Sequence, residues 1–597
     1  MSIELTALLA VLVPLGGCLL IPLLGWINER LMKWYTVVAG FVTAGLTVAL
    51  VTGGAGRPLP TVIWIPGLDL QISLQLTGIG VYVAAIAGCI GSLAILYSLK
   101  YMEPLEEEYA PTRYYFLTLL FIGAMIALAL ADNFLVLYIF WEVIGLCSFA
   151  LIAYEYKRAK ARDAGAKAFI VTRFGDIGLL VGVVALWSAM DQIGAENPLS
   201  ISATIQMAIA GQIPIGVLSI AAFGFLAGAI GKSAQFPLHV WLPDAMEAPT
   251  TISALIHAAT LVNAGVYLCA RTLPMLALVS WWLPAVAWIG AFSALLTAAL
   301  ALFEKDLKRV LAFSTISQLG YMMAGVGAAS VFASQFHLLN HAIFKALLFL
   351  CAGAVIHAVH TRSMYEMGGL KRSMPLVHWS FLVGMLALAG IPVFNGFFSK
   401  DAIFEALLHS HMYGPLVLLI ITAFLTAAYS FRMYWLTFQA EPRTEAHPHD
   451  PPWQMAVPLV LLAAGAVCSW LYVGGYSANL GADLPFHQVH MLEVGDLLRE
   501  SFVNPLILVA VISVLIMAGL GVRWKAAGPP VPAGPQIWAE LVTDTKAFGD
   551  WFWGFMVVLM NATGQVLSLF QTGDLNYNAL WLAIGLIAVL LMFLGWG

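Results

Sequence analysis

The stretch Ala227-Gly-Ala-Ile-Gly-Lys-Ser-Ala-Gln-Phe-Pro-Leu-His-Val-Trp-Leu-Pro-Asp244 decides the fold. It continues an apolar run that begins near residue 215 and is long enough to cross a bilayer, yet the run ends on Lys232. Pro237 and Pro243 then prevent a regular helix from continuing. A lysine beside a helix break in an apolar span describes a discontinuous membrane helix. The freed backbone groups of such a break are satisfied only inside protein or along a wet cavity. Gly231-Lys232-Ser233 also looks like the end of a phosphate-binding loop. That motif needs a glycine where Leu226 stands and a strand before the loop, so nucleotide binding is not expected.

The rest of the 597-residue chain fits a lipid solvent. Hydrophobic residues make up 61%, charged residues 10%, and mean hydropathy is +0.90; soluble domains hold about 45–50% and 25%. With a net charge of −5 and no basic block, nucleic acid is not an expected partner. Cys18, Cys89, Cys147, Cys269, Cys351 and Cys468 lie in apolar stretches with no C-x-x-C pair. Iron–sulfur clusters, zinc ribbons and a disulfide framework are therefore not expected on this chain. The acidic start, Met1 to Thr6, lacks the basic n-region of a cleavable leader.

Sixteen spans are predicted, near 5–25, 33–53, 77–98, 113–131, 133–153, 168–190, 215–235 and 248–270. They continue at 281–303, 307–328, 333–358, 375–394, 413–438, 455–475, 503–522 and 577–596. The expected fold class is an all-α polytopic membrane protein. Of the 27 Lys and Arg residues, twenty fall in loops after odd-numbered spans, and only Arg57, Arg271 and Arg499 after even ones. Odd loops are then cytoplasmic, and both termini face outward from the cell inner membrane.

A second interruption occurs at Gly390-Ile-Pro-Val-Phe-Asn-Gly396. Spans 4–8 and 9–13 become two five-span sets, each broken in its fourth member. Five is odd, so a tandem repeat must invert, and breaks at matching positions of inverted repeats mark an ion path. The expected division is 1–112 (spans 1–3), 113–273 and 274–440 (the two repeats) and 441–522 (spans 14 and 15). A linker with a lateral helix over 523–576 and a final anchor over 577–597 complete it. Pro529, Pro530, Pro532 and Pro535 stiffen the linker. Trp551 to Phe570 alone is apolar enough to be a seventeenth span, yet from Trp538 to about Phe570 a single polar stripe (Thr543, Asp550, Gly554, Asn561, Gln565, Thr572) better describes a helix lying along a membrane protein's surface.

Several charges lie where lipid should exclude them. Glu142, in Tyr138-Ile-Phe-Trp-Glu-Val-Ile-Gly145, sits in an apolar span, where a charge costs about 2.5–3.5 kcal/mol on insertion scales. The simplest reading has Glu142 facing Lys232; an ion pair that merely pins two helices is the plain alternative. Arg173 and Asp176, spaced i, i+3, are read as a pair that tunes this neighbourhood. In span 11, His337, His341 and Lys345 are spaced i, i+4, i+8 along one helix face. They suit a proton file ending at Lys345, with structural histidines as the alternative. No carboxylate or thiol accompanies the two histidines and Lys345 repels a cation, so no metal is expected. His257 on span 8 is as readily a packed histidine as a relay. Lys400 and Asp401, beyond the second break in Gly396-Phe-Phe-Ser-Lys-Asp401, are inlet or outlet groups or else a helix end snorkelling to the interface. Lys308 either bridges the two halves or lies at the interface.

These residues carry a family resemblance. Phe140-Trp-Glu-Val-Ile-Gly145, Lys232 to Met246, Ala248-Pro-Thr-Thr-Ile-Ser-Ala-Leu-Ile-His-Ala-Ala-Thr260 and Lys308-Arg-Val-Leu-Ala-Phe-Ser-Thr-Ile-Ser-Gln-Leu-Gly320 resemble the antiporter-like subunits of respiratory complex I. Phe336 to Lys345, Met367-Gly-Gly-Leu370 and Gly396 to Asp401 extend the likeness, which covers about residues 60–440. The best fit is the distal subunit, subunit L in bacteria, with its F420H2 dehydrogenase counterpart in archaea. The resemblance implies proton translocation along a hydrated axis. Glu142 and Lys232 would be its coupling pair, His257 a relay, Lys345 with His337 and His341 the central site, and Lys400 with Asp401 the outward-side site. It implies no cofactor on this chain: flavin, iron–sulfur clusters and a quinone or methanophenazine acceptor would belong to partner subunits. It also implies that the lateral helix braces adjacent antiporter-like subunits of a membrane arm. Asn263-Ala-Gly265 departs from the pattern, since a small or hydroxyl residue is expected before the glycine, and the Trp- and Pro-rich tail is atypical.

Three functions compete. The first is a proton-pumping subunit of an NADH- or F420H2-dependent dehydrogenase. The second is the same core in a membrane-bound hydrogenase or an Mrp-type cation/proton antiporter. The third is a structural anchor without ion flow, against which the buried charges of Glu142, Lys232 and Lys345 argue. The tail over 523–597 favours the first over an Mrp-type antiporter.

Overall fold

Without water to satisfy the backbone, an apolar chain closes its hydrogen bonds within each segment, and helices result. The computed structural model describes residues 2–527, apart from 54–55, 60–61, 66–69, 445, 447 and 484–491, together with Val558. The first helices are α1 (Ile3–Cys18) and α2 (Ile21–Ile27), which meet at 44°, then α3 (Glu29–Gly53). Next come α4 (Gly78–Tyr101), the short α5 (Glu103–Glu106), α6 (Pro111–Leu130), α7 (Phe134–Ile152) and α8 (Ala159–Gln192). A short α9 (Ile201–Ile209) precedes α10 (Ile215–Lys232), which ends at the first break. The break contains a cis Phe236–Pro237 peptide, two 3-10 turns and the single turn α11 (Trp241–Asp244). One long span follows, built from α12 (Thr250–Ala254), a π-helical turn over Leu255–Ala259, and α13 (Leu261–Leu276).

The second half begins with α14 (Trp282–Phe303), α15 (Leu307–Gly327) and α16 (Val331–Val359). The second break separates α17 (Pro375–Ala389) from α18 (Asn395–His409) and is followed by α19 (Tyr413–Tyr434). Then α20 (Trp453–Cys468) leads through a 3-10 turn, Ser469–Tyr472, into α21 (Val473–Asp483), and α22 (Val494–Val503) and α23 (Ile507–Ala527) close the described chain.

Among the described residues, 13 helices are long and apolar enough to cross a membrane, or 14 with the bent α1–α2 pair, and α17 is a shorter apolar helix. Every expected span before residue 523 coincides with a helix or a broken helix. The sixteenth span at 577–596 and the lateral helix at 538–570 lie outside the described residues, so the total of sixteen is not established. The all-α expectation needs one addition. Between α3 and α4, β1 (Arg57–Pro58), β2 (Val62–Ile65), β3 (Leu70–Ile72) and β4 (Gln75–Leu76) pair antiparallel as β1–β4 and β2–β3.

Local chemistry fixes where the helices that matter begin. Asn133 accepts from the backbone N–H of Leu135 (2.8 Å) and Val136 (3.2 Å) to start α7. Asp306 does the same for Lys308 (2.8 Å) and Arg309 (3.2 Å) at α15. Glycines permit a close helix approach: Gly175, Gly178 and Gly182 of α8 face Gly224 to Gly228 of α10, and a Cβ at Gly175 would stand 2.5 Å from the Ala227 carbonyl oxygen. That approach carries Arg173 and Asp176 to the end of α10, beside Lys232. Burial sorts the spans. The central windows of 250–276 and of α15 are 100% buried, whereas those of 453–481 and 507–525 are 28% buried. A charge on the enclosed spans therefore faces protein.

Candidate functional site

Four charges meet where α7, α8 and α10 converge. Glu142 is ion-paired with Arg173, and Lys232 Nζ lies 3.2 Å from Asp176 Oδ2. Arg173 Nε, 3.9 Å from that same oxygen, joins the two pairs. The expectation that Glu142 and Lys232 pair directly is therefore corrected. Arg173, reaching across from α8, occupies the place beside Glu142, and Asp176 takes the lysine. Arg173 and Asp176, read from the sequence as a pair that tunes this neighbourhood, each also face a second partner, Glu142 and Lys232 respectively. Lys232 and Asp176 are wholly buried, while Glu142 and Arg173 keep 21% and 30% of their side chains exposed. Trp141 supports the inner pair by donating its indole N–H to Asp176 at 2.6 Å. Gly145, one turn beyond Glu142, leaves the room: a Cβ there would be 2.6 Å from Lys232 Nζ.

The first break is closed by the second half of the chain. Lys308, 4% exposed, donates to the carbonyls of Met246 (2.9 Å) and Ala248 (2.6 Å), so it bridges the two halves and is not an interfacial lysine. Phe236 N–H donates to Ser293 Oγ at 2.9 Å. Next along the chain, His257 sits in the π-helical turn with its ring 4.6 Å from that of Phe349. A π turn widens the helix and frees backbone carbonyls. Asn263, the departure noted in the sequence, donates its amide to one of them, Ala258 O, at 2.7 Å. Neither ring nitrogen of His257 has a hydrogen-bond partner among the described residues, and the same is true of His341. Buried polar atoms left this way are those that water serves.

His337, His341 and Lys345 all lie buried on α16. Lys345 donates to Leu311 O at 3.2 Å and is hydrogen-bonded to Ser314 Oγ. The His341 ring lies 6.3 Å from that of His337 and 5.4 Å from that of Phe344, centre to centre. His337 is bound on both ring nitrogens, to Ser399 Oγ (2.9 Å) and Gln318 Oε1 (3.1 Å). Lys400 follows Ser399 directly. It is 3% exposed, donates to Leu388 O at 2.6 Å and stands 5.4 Å from the centre of the Tyr321 ring. The snorkelling alternative for Lys400 and Asp401 is therefore corrected, because Asp401 is enclosed too, at 5% exposure. Asp401 lines both a small cavity of about 20 Å³ shared with Lys400 and a cleft of about 200 Å³ shared with Glu405, His409 and Glu500.

Sequence reasoning missed Trp141, Ser314, Gln318, Tyr321 and Ser399. A signal existed for α15: Ser314, Thr315, Ser317 and Gln318 form a polar run inside a span otherwise apolar enough for lipid. Among the described residues no group of three or more His, Cys, Asp or Glu is placed to hold a metal ion.

The comparisons with known proteins bear on this arrangement. A family profile described as NADH:quinone oxidoreductase/Mrp antiporter, TM, matches residues 131–426. The F(420)H(2) dehydrogenase subunit L of Methanosarcina mazei is 45% identical over 404 residues, covering 62% of this chain and 59% of that protein. The NADH-quinone oxidoreductase subunit L of Neisseria meningitidis is 35% identical over 498 residues, covering 77% of this chain and 73% of that one. Like the Methanosarcina protein, several other relatives are matched over only half to two thirds of their length. Among solved structures, the Mrp complex from Dietzia sp. superposes with a TM-score of 0.78 at 26% identity, over 99% of this chain and 63% of that chain.

Proposed function

Since the chain belongs to the subunit L/subunit 5 family of NADH:quinone oxidoreductase and Mrp-type antiporter membrane proteins, we propose that it translocates protons as the distal antiporter-like subunit of a complex I-type dehydrogenase. What supports this reading is the burial of His257, Lys345, His341, His337 and Lys400, five titratable side chains enclosed in protein near and between the two breaks. In this reading the cluster of Glu142, Arg173, Asp176 and Lys232 is the coupling element. Movement of Arg173 away from Glu142 changes the field at Lys232, and lysine readily changes its protonation when its surroundings change. Lys345 is the central exchange site, and Asp401, standing between two cavities, is the group that meets the outer side. Electron transfer from NADH or F420H2, and the flavin, iron–sulfur clusters and quinone or methanophenazine it needs, are assigned to partner subunits. The chain lies in the cell inner membrane with both termini outward. The division at 112, 273, 440, 522 and 576 and a lateral helix that braces adjacent antiporter-like subunits complete the proposal.

A second reading, an Mrp-type cation/proton antiporter, is favoured by the likeness to the Mrp complex over 99% of the chain. Proton yield per electron in vesicles containing the whole complex separates the two. Lys345→Ala should abolish that yield while electron transfer partly survives, and Lys345→Arg should not restore it, since arginine stays protonated. An unchanged yield in Lys345→Ala would refute the dehydrogenase pump.

A further inference from the structure

The two breaks are held differently. At the first, the loose backbone is satisfied by α14 and α15, through Ser293 and Lys308. At the second, α18 begins at Asn395, which is wholly buried and has no side-chain cap before it. Asn395 donates its amide to Ser469 Oγ (3.0 Å) and to Asn340 O (3.4 Å), while Ser469 donates its hydroxyl to Asn340 Oδ1 (2.7 Å). Ser469 opens the 3-10 turn that interrupts α20 and α21, and the next residue, Trp470, stacks on Phe398 with ring centres 4.3 Å apart. Gly465 lets α20 come close, since a Cβ there would be 3.1 Å from Ile343 Cγ2 of α16. From Asn395 the network continues, because its carbonyl accepts from Ser399 Oγ (3.1 Å), the partner of His337. The turn thus lies a few hydrogen bonds from Lys400, on a helix pair beyond residue 426, where the family match ends.

We propose that Ser469, with Trp470, is a positioning residue for the proton path. The interrupted peripheral helix α20–α21 clamps the start of α18 against α16 and so fixes Lys400 and Ser399 relative to His337. The effect on pumping rests on the function proposed above, whereas the clamp itself does not.

Amide hydrogen exchange over 394–401, measured on the whole complex in membranes, reads the clamp directly. Ser469→Ala should accelerate exchange there about tenfold, as the loss of a bridging hydrogen bond would. It should also lower the proton yield per electron and move its pH profile, and Ser469→Thr, which keeps the hydroxyl, should restore all three. Ser469→Cys, of similar volume, covers the case in which the alanine variant does not assemble and must show the same acceleration. Unaltered exchange overturns the clamp. Faster exchange with an unaltered yield and pH profile overturns the positioning role. If Lys345→Ala still pumps, the proposed function fails while the exchange result stands on its own.

Discussion

Ser399 Oγ stands 2.9 Å from Nδ1 of His337, so the residue before Lys400 is tied to the histidine file of α16. This bond ties α16 to α18, and in the proposed function it joins the two helices in one path. Ser399→Ala should therefore cut the proton yield per electron about tenfold, the worth of one well-placed hydrogen bond, with assembly intact. Ser399→Thr should keep most of it. Dye-monitored acidification of vesicles gives the answer, and full pumping by the alanine variant would remove Ser399 from the path.

Lys232 and Asp176 are both wholly buried and 3.2 Å apart. Neutralising either alone strands a charge, at a cost of about 3–5 kcal/mol, while removing both does not. Lys232→Met and Asp176→Leu should each lower the yield of assembled complex, and the double variant should regain it without pumping. Glu142 and Arg173, partly exposed, should show the same pattern with much smaller effects. Additive losses across the Lys232–Asp176 cycle, read as thermal stability in detergent, would mean the two do not interact.

Gly145→Ala places a methyl 2.6 Å from Lys232 Nζ. The flexible lysine tip can yield, so folding should survive at a cost of about 1–3 kcal/mol. The proton yield should still fall several-fold, because the ammonium is displaced from Asp176. Native electrophoresis beside the pumping measurement separates the two effects, and normal pumping with normal assembly would show that the cluster tolerates the shift.

Charge bias in the loops sets a topological test for the tail. A tag at the C-terminus should be reached only from outside the cell, and a cysteine at Asn561 should react with an impermeant thiol reagent only from the cytoplasm. A tag found in the cytoplasm would mean that 551–570 crosses the bilayer.

Much of this architecture was legible because membrane helices announce themselves twice, by apolar length and by the residues that violate it. Lys232, Lys345 and Lys400 were found because each is a charge where lipid forbids one. Their partners were not, and the reason is geometric. Arg173 and Asp176 look like a private i, i+3 pair along the chain, and only the glycine-lined approach of α8 to α10 turns them toward Glu142 and Lys232. Ser399 and Gln318 are small neutral residues that raise no alarm in a hydropathy profile, yet they hold His337 in place. Asn340, Asn395 and Ser469 span 129 positions, and no local pattern links residues so far apart.

The π-helical turn over Leu255–Ala259 acts as a phase slip along its span. On one side, Thr250 and Thr251 meet the hydroxyls of Tyr101 and Tyr114; on the other, Gly265 packs on α10. The extra residue of the π turn offsets one set of neighbours from the other around the helix axis. Deleting one residue inside the turn would bring the helix back into step and rotate one half against the other by about 100°. The two halves of this span are thus separate gears on one shaft, and His257 sits on the coupling between them.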